Sequence, residues 1–309
     1  MLDKFLVALG EKTAERWMAV SVPALVFWLA GAAAWLWRYG LGAIDPVVAW
    51  LGAQTAVVQV GSLVVALLVV SASGVAVGAL SGPLLRLLQG DSWPAWLKSW
   101  GAARHGERCA VLIEEWDALS DPVLGGTATP QQEVRFAELD RKLRRYPDSS
   151  AFLPTRVGNI LRAAEHRAQP RYGLDTSTVW SHLWLLLPEP IQKGLARVRT
   201  ALDDAVAMAI WGVLFVAFTP LAWWAAAVGL SCVVLAVTWL VPLRAEAFAD
   251  LVEAAFDLYR AELYTQLRWP LPTDPDDERV QGARLTEYVL RGLTGSEPTF
   301  TSGTTDVTN

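Results

Sequence analysis

The chain has 309 residues, of which 53% are hydrophobic, with a mean hydropathy of +0.31 and 16 tryptophans. That composition fits an integral membrane protein with a sizeable polar portion. The net charge of −5 is unevenly held. Residues 86–204 carry 16 Lys/Arg against 15 Asp/Glu, whereas 244–309 carry 6 against 12. Only Cys109 and Cys232 are present, which excludes a disulfide framework and suits a reducing cytosol for the polar part.

In chain order, the first feature is a stretch of 21 residues without charge, Trp17 to Trp37, long enough to cross a bilayer once. Mixed charges ahead of it (Asp3, Lys4, Glu11, Lys12, Glu15, Arg16) are unlike a cleavable signal, so the segment is expected to stay as a helix. A second uncharged stretch runs 40 residues from Pro46 to Leu85. One span is needed before Arg86, and Pro46 to about Val60 is surplus, an interfacial loop or a re-entrant segment. Within the span, Gly74, Gly78 and Gly82 recur every four residues with Ser71, Ser73 and Ser81 nearby. A face so flat suits subunit packing or a pore lining, or equally packing against another span of the same chain.

The polar portion from Arg86 to Asp204 reads as helical throughout. Helices are expected over Glu107 to Leu119 and Gln131 to Arg145, separated by a Gly/Thr/Pro-rich loop at Ser120 to Pro130. Pro154-Thr155 opens another helix. Asp175 or Thr176 caps the next, which Pro188 stops. From Ile191 one helix is expected to run on into a third uncharged stretch, Ala205 to Leu243, of 39 residues. At ~1.5 Å per residue that stretch crosses twice. Thr219-Pro220 marks the turn of a hairpin with spans near 205–221 and 223–243. Beyond it, Phe248, Val252, Ala255, Tyr259, Leu263 and Leu267 form an amphipathic stripe ending before Pro270, which needs a partner surface. Residues 295–309, rich in Thr, Ser and Gly, read as disordered.

The expected fold is therefore all-α: an N-terminal transmembrane pair (1–85), a helical domain (86–204), a transmembrane hairpin (205–243), an amphipathic helical region (244–294) and a tail. Lys/Arg near the membrane ends cluster on one side, with Arg38 alone opposite, so both termini and the 86–204 domain are expected in the cytoplasm of a bacterial inner-membrane protein.

Catalytic signatures are missing. His105, His166 and His182 stand at no metal-ligand spacing with one another or with either cysteine. There is no phosphate loop, nucleophile elbow or H-E-x-x-H, and the uncharged stretches hold no ionisable residue. The expectation is a non-enzyme without cofactor or metal. Two constellations remain. Arg141, Lys142, Arg144 and Arg145, followed by Arg156, Arg162, Arg167 and Arg171, suit a phosphate-bearing ligand such as a nucleotide, a short oligonucleotide or a lipid headgroup. They equally suit a solvated face paired with Glu138, Asp140, Asp148 and Glu165. Asp203 and Asp204, at the entrance to the third stretch, would mark the interface in one copy and form an acidic, cation-attracting ring in a homo-oligomer.

The segments LPTRVGNILRAAEHRAQPRYGLDTSTVWSHLWLLLPE and AAFDLYRAELYTQLRWPLPTDPDDERVQGARL resemble uncharacterised bacterial multi-span membrane proteins over about a third of the chain. That resemblance implies no chemistry. The layout is also similar to membrane channel effectors of anti-phage systems of the Hailong type. It implies a homo-oligomeric channel gated by its cytoplasmic domain, with a role in growth arrest. The alternative is a non-conducting membrane scaffold or sensor that binds a partner protein.

Overall fold

The computed structural model describes residues 22–292 and Phe300, and among these every regular element is helical. Lys4, Lys12, Arg16, the start of the first uncharged stretch and, Phe300 apart, the 295–309 tail lie outside the described residues. The chain divides into two compact units: an apolar one of Met1–Leu85 with Asp203–Val241, and a charged one of Arg86–Leu202 with Pro242–Asn309. The amphipathic C-terminal region thus groups with the 86–202 helices.

In the apolar unit, α1 (Val22–Tyr39) ends at Gly40, whose φ of +80° is open to glycine without a Cβ penalty. The chain then bends by 116° into a segment that includes a 3-10 turn (Leu41–Ile44) and α2 (Asp45–Gly52). The surplus apolar stretch after Pro46 is therefore largely helical and bent from α1, where an interfacial loop or a re-entrant segment was expected. Pro46 sits in the first turn of α2, where its missing N–H has no intrahelical partner to lose. A long helix, α3 (Ala56–Gln89), follows. Its buried side is Gly74, Val77, Ser81 and Leu85. Gly78 and Gly82 lie off that side, and a Cβ on either would meet nothing within 4 Å.

The expected turn at Pro220 is present, with a shift of elements around it. Helix α8 (Glu189–Val216) does run unbroken from the polar region. It stops earlier than expected, and Ala217 to Trp223 form turns around Pro220. Helix α9 (Trp224–Leu235) returns against it. A Cβ on Gly212 would lie 2.9 Å from the Gly229 carbonyl oxygen, and one on Gly229 would lie 2.7 Å from the Gly212 oxygen. The two backbones therefore touch at paired glycines. Phe27, Trp211, Phe215, Phe218 and Trp224 pack as an aromatic cluster beside this crossing.

A π-helical turn, Ala236–Leu240, joins α9 to α10 (Val241–Gln266), so that Trp224–Gln266 is one helix of 43 residues. By length and composition α3 and Trp224–Gln266 each suffice to cross a membrane, with a third crossing if α1 and the segment bent from it form one span. The four separate spans expected do not all reach that standard. The uncharged end of α8, Ala205–Val216, rises only about 18 Å against a ~30 Å hydrocarbon core.

The charged unit contains α4 (Ala95–Leu124), α5 (Pro130–Leu143), α6 (Arg156–Tyr172), α7 (Thr176–Leu186) and α11 (Pro275–Arg291), together with the charged ends of α8 and α10. Helix α4 continues past the loop start expected at Ser120. Pro122 falls two residues from its end, where losing one hydrogen bond costs little. Thr129 and Gln132 close a capping box on α5, and Asp175 caps α7 through the Thr178 amide. The core gathers Leu174, Val179, Leu183, Leu195, Phe256, Leu263, Tyr264, Trp269 and Leu285. The apolar stripe of α10 thereby finds its partner surface within the chain.

The motif Pro154-Thr155-Arg156-Val157-Gly158-Asn159 is a clasp on the end of α3. Thr155 accepts the Gly158 amide (2.9 Å) and donates to the last carbonyls of α3, at Leu88 (2.7 Å) and Gln89 (3.2 Å). Gly158 is required because a Cβ there would lie 2.2 Å from the Gln89 oxygen. Buried Asn159 accepts the Leu153 amide (2.7 Å) and donates to the Leu153 carbonyl (2.9 Å), fixing the approach of the chain.

Candidate anion site in the charged unit

Helix α10 carries Glu246, Asp250, Glu253 and Asp257 at spacings of four, three and four residues. That places four carboxylates on one helical face. Opposite stand Arg156, Arg167 and Arg171 of α6. Two small residues, Ala164 of α6 and Ala249 of α10, sit between the charged levels.

Glu253 is only 7% exposed and is held by three arginines: Arg144 at 3.2 Å, Arg171 at 2.8 Å, and Arg167. Arg167 also donates to the Arg144 carbonyl oxygen. Burial by itself would raise the Glu253 carboxyl. The charges and hydrogen bonds of Arg167 and Arg144 outweigh it and hold the group below the ordinary glutamate range. One level along, Glu246 bridges Arg145 at 2.8 Å and Arg156 at 3.0 Å. Further on, Tyr172 donates to Asp257 at 2.6 Å, and Arg260 lies 4.0 Å over the Tyr172 ring while pairing with Glu278 at 2.7 Å.

Between the Glu246 and Glu253 levels opens a cavity of about 290 Å³, lined by Arg141, Arg144, Arg145 and Arg167 and by Glu246 and Asp250. With Arg156 paired to Glu246 and Arg171 to Glu253, six guanidinium groups stand against the four carboxylates of this α10 face, those of Glu246, Asp250, Glu253 and Asp257. Among the described residues, Arg141 and Asp250 form no ion pair. The site thus keeps positive charge in excess of its internal partners, and chemically it can hold an anion.

Of the expected basic residues, Arg141, Arg144 and Arg145 gather here, joined by Arg156, Arg167 and Arg171. Lys142 does not line the cavity. Arg162 turns away to Asp91, at 3.0 and 3.1 Å. The expected acidic partners are corrected as well: Glu138 pairs with Arg135, and Glu246 and Glu253 of α10 take the arginines. The sequence signal for them is the acidic stripe of α10, which lies beside the apolar one.

The other singled-out residues lie in the apolar unit. Gly74 is buried, Gly78 and Gly82 face open space within the chain, and Asp204 borders an apolar cavity of about 490 Å³ with Phe27, Trp211 and Cys232. No group of three or more His, Cys, Asp or Glu among the described residues could hold a metal ion. Comparison with protein families, curated proteins and solved structures gives no match.

Proposed function

We propose that this chain is the subunit of a homo-oligomeric membrane channel gated by its charged, cytoplasmic domain. The observation that carries the reading is helix Trp224–Gln266, which holds an uncharged stretch of spanning length and, without a break, the carboxylates gripped by the arginines. Any change in how the arginines hold Glu246 and Glu253 bears on a helix that also traverses the bilayer. The π-turn at Ala236–Leu240 gives that helix a place to yield, as such turns recur at functional positions. Gly78 and Gly82 offer a flat surface on α3 for a neighbouring copy. Repeated around an axis, Asp203 and Asp204 would concentrate cations at the pore mouth. Opening such a pore would collapse ion gradients, which is how a growth-arresting defence effector would act.

The test is the mass of the detergent-solubilised protein, followed by reversal potentials in planar bilayers for wild type and for Asp203→Asn with Asp204→Asn. Oligomers with a cation preference that the double variant loses support the reading. A monomer that passes no current contradicts it.

A non-conducting membrane sensor is the second reading, and one observation favours it. The hydroxyls of Ser71 and Ser81 donate to Leu67 and Val77 carbonyls of their own helix, at 2.8 and 3.1 Å, and so offer little to a water column.

A further inference from the structure

We propose that the arginine-lined cavity of the charged unit binds a phosphate-bearing anion with two or more phosphoryl groups, and that this anion competes with Glu246 for its arginines. The consequence for gating rests on the channel reading above; the binding itself does not.

Charge is the first argument. The more buried ions of the network, Glu253 with Arg167 and Glu246 with Arg145, are paired with each other, while Arg141 and Asp250 stand exposed at the rim of the cavity with no ion-pair partner among the described residues. Four guanidiniums, those of Arg141, Arg144, Arg145 and Arg167, line the cavity against the two carboxylates of Glu246 and Asp250, so positive charge exceeds negative at its wall. The C-terminal end of α5, from which Arg144 and Arg145 project, supplies about half a negative charge, which offsets only part of the excess.

Space is the second. Ile160, Ala164 and Ala249 form the apolar part of the lining, and no side chain fills the 290 Å³ between the arginines. At ~30 Å³ per water in the liquid, that is room for roughly ten waters' volume, more than a single phosphate needs and suited to a diphosphate or triphosphate group.

Donor geometry is the third. Planar guanidinium forks match the paired oxygens of phosphoryl groups, and four of them converge on the cavity from α5, its C-terminal end and α6. Arg145 is already engaged with Glu246, at 2.8 Å. A diphosphate drawing on Arg145 would take donors from that carboxylate and loosen α10 at this level. Glu253, deeper, shares Arg144 and Arg167 with the cavity and keeps Arg171, which lies outside its lining.

The same chemistry is offered by a soluble polyphosphate or by a phosphorylated lipid headgroup, and the test separates them. Full-length protein in neutral phosphatidylcholine nanodiscs is titrated with inorganic pyrophosphate by calorimetry. In parallel, its retention on phosphatidylcholine vesicles with and without a phosphatidylinositol bisphosphate is measured, before and after adding pyrophosphate. Arg141 and Asp250 border the cavity, where losing a hydrogen bond to a charged group, or a like charge a few Å away on an exposed wall, changes affinity about tenfold. Arg141→Ala should therefore weaken pyrophosphate binding about tenfold, and Asp250→Asn should strengthen it by a similar factor. Neither residue is in an ion pair of the described structure, so both variants should fold. Opposite shifts support the proposal. Pyrophosphate heat identifies a soluble ligand, and binding seen only with the phosphatidylinositol bisphosphate identifies a headgroup. No binding in either arm, or binding that neither substitution alters, overturns it. Binding without ion flux would refute the channel and leave the anion site standing; flux without binding would do the reverse.

Discussion

Glu253→Ala is the substitution with the largest expected cost. Its carboxylate is 7% exposed and satisfies Arg144, Arg167 and Arg171. The three arginines do not suffer equally. The side chains of Arg144 and Arg171 are 56% and 46% exposed and can turn to water, so each loses at most ~1 kcal/mol. Arg167 is 16% exposed and stays partly buried with its charge uncompensated, a situation that costs about 3–5 kcal/mol. The sum is about 3–7 kcal/mol, which at ~2 °C per kcal/mol for a chain of this size lowers Tm by roughly 6–14 °C. Thermal unfolding of the detergent-solubilised full chain, followed by tryptophan fluorescence, measures it. Glu253→Leu combined with Arg167→Met removes both charges at similar volume and should recover most of the loss. A Glu253→Ala shift below about 2 °C, or a double variant no better than the single, would refute the argument that Glu253 organises the arginines.

Acid should weaken the same site: the Glu253 carboxyl lies below its unfolded value near 4.5, so its contribution is complete above that pH and is lost as pH falls through the lowered value. A Tm profile from neutral pH down through that range should show a fall that Glu253→Gln lacks. Gly158→Ala places a Cβ 2.2 Å from the Gln89 oxygen and should break the Thr155 clasp, lowering Tm by several degrees, whereas an unchanged Tm would mean that the clasp yields at no cost. Gly212→Leu should disrupt the crossing of α8 and α9 and lower the yield of folded monomer, since Gly229 is in backbone contact; wild-type yield and Tm would show that the two helices separate freely. Gly78→Leu meets nothing within 4 Å in its own chain and should leave the fold intact while lowering oligomer mass; native mass would show that this face meets lipid.

The parts legible in the sequence are those fixed by local physics. Uncharged stretches long enough to cross a bilayer announce α3 and the apolar end of Trp224–Gln266, and Thr219-Pro220 marks the turn between α8 and α9 because proline cannot continue the helix before it. The caps at Thr155 and Asp175 are readable because a capping side chain needs only the next three residues.

What stays hidden depends on tertiary placement. The arginines are visible in the sequence, but the partner of Arg144, Arg167 and Arg171 lies 82 to 109 residues away on α10, and nearer carboxylates such as Glu138 compete for the same reading. The acidic stripe of α10 is masked by the apolar stripe beside it, since an amphipathic helix reads first by its apolar face. The glycine repeat on α3 likewise does not tell which side the chain itself covers. Spacing places Gly74, Gly78 and Gly82 along one line, yet the buried side follows Gly74, Val77, Ser81 and Leu85, because which face is covered depends on neighbours that spacing does not specify. The contact that does require glycine, Gly212 against Gly229, joins two positions on separate helices and repeats at no interval.

The central claim is that the charged domain controls an ion path, and the most direct measurement is current through planar bilayers containing the full-length wild-type protein, before and after adding pyrophosphate on the side that exposes the charged domain. A cation-selective current whose open probability changes with pyrophosphate is expected, with the response of Arg141→Ala shifted to about tenfold higher pyrophosphate. A protein that inserts as an oligomer and passes no current in either condition would contradict it.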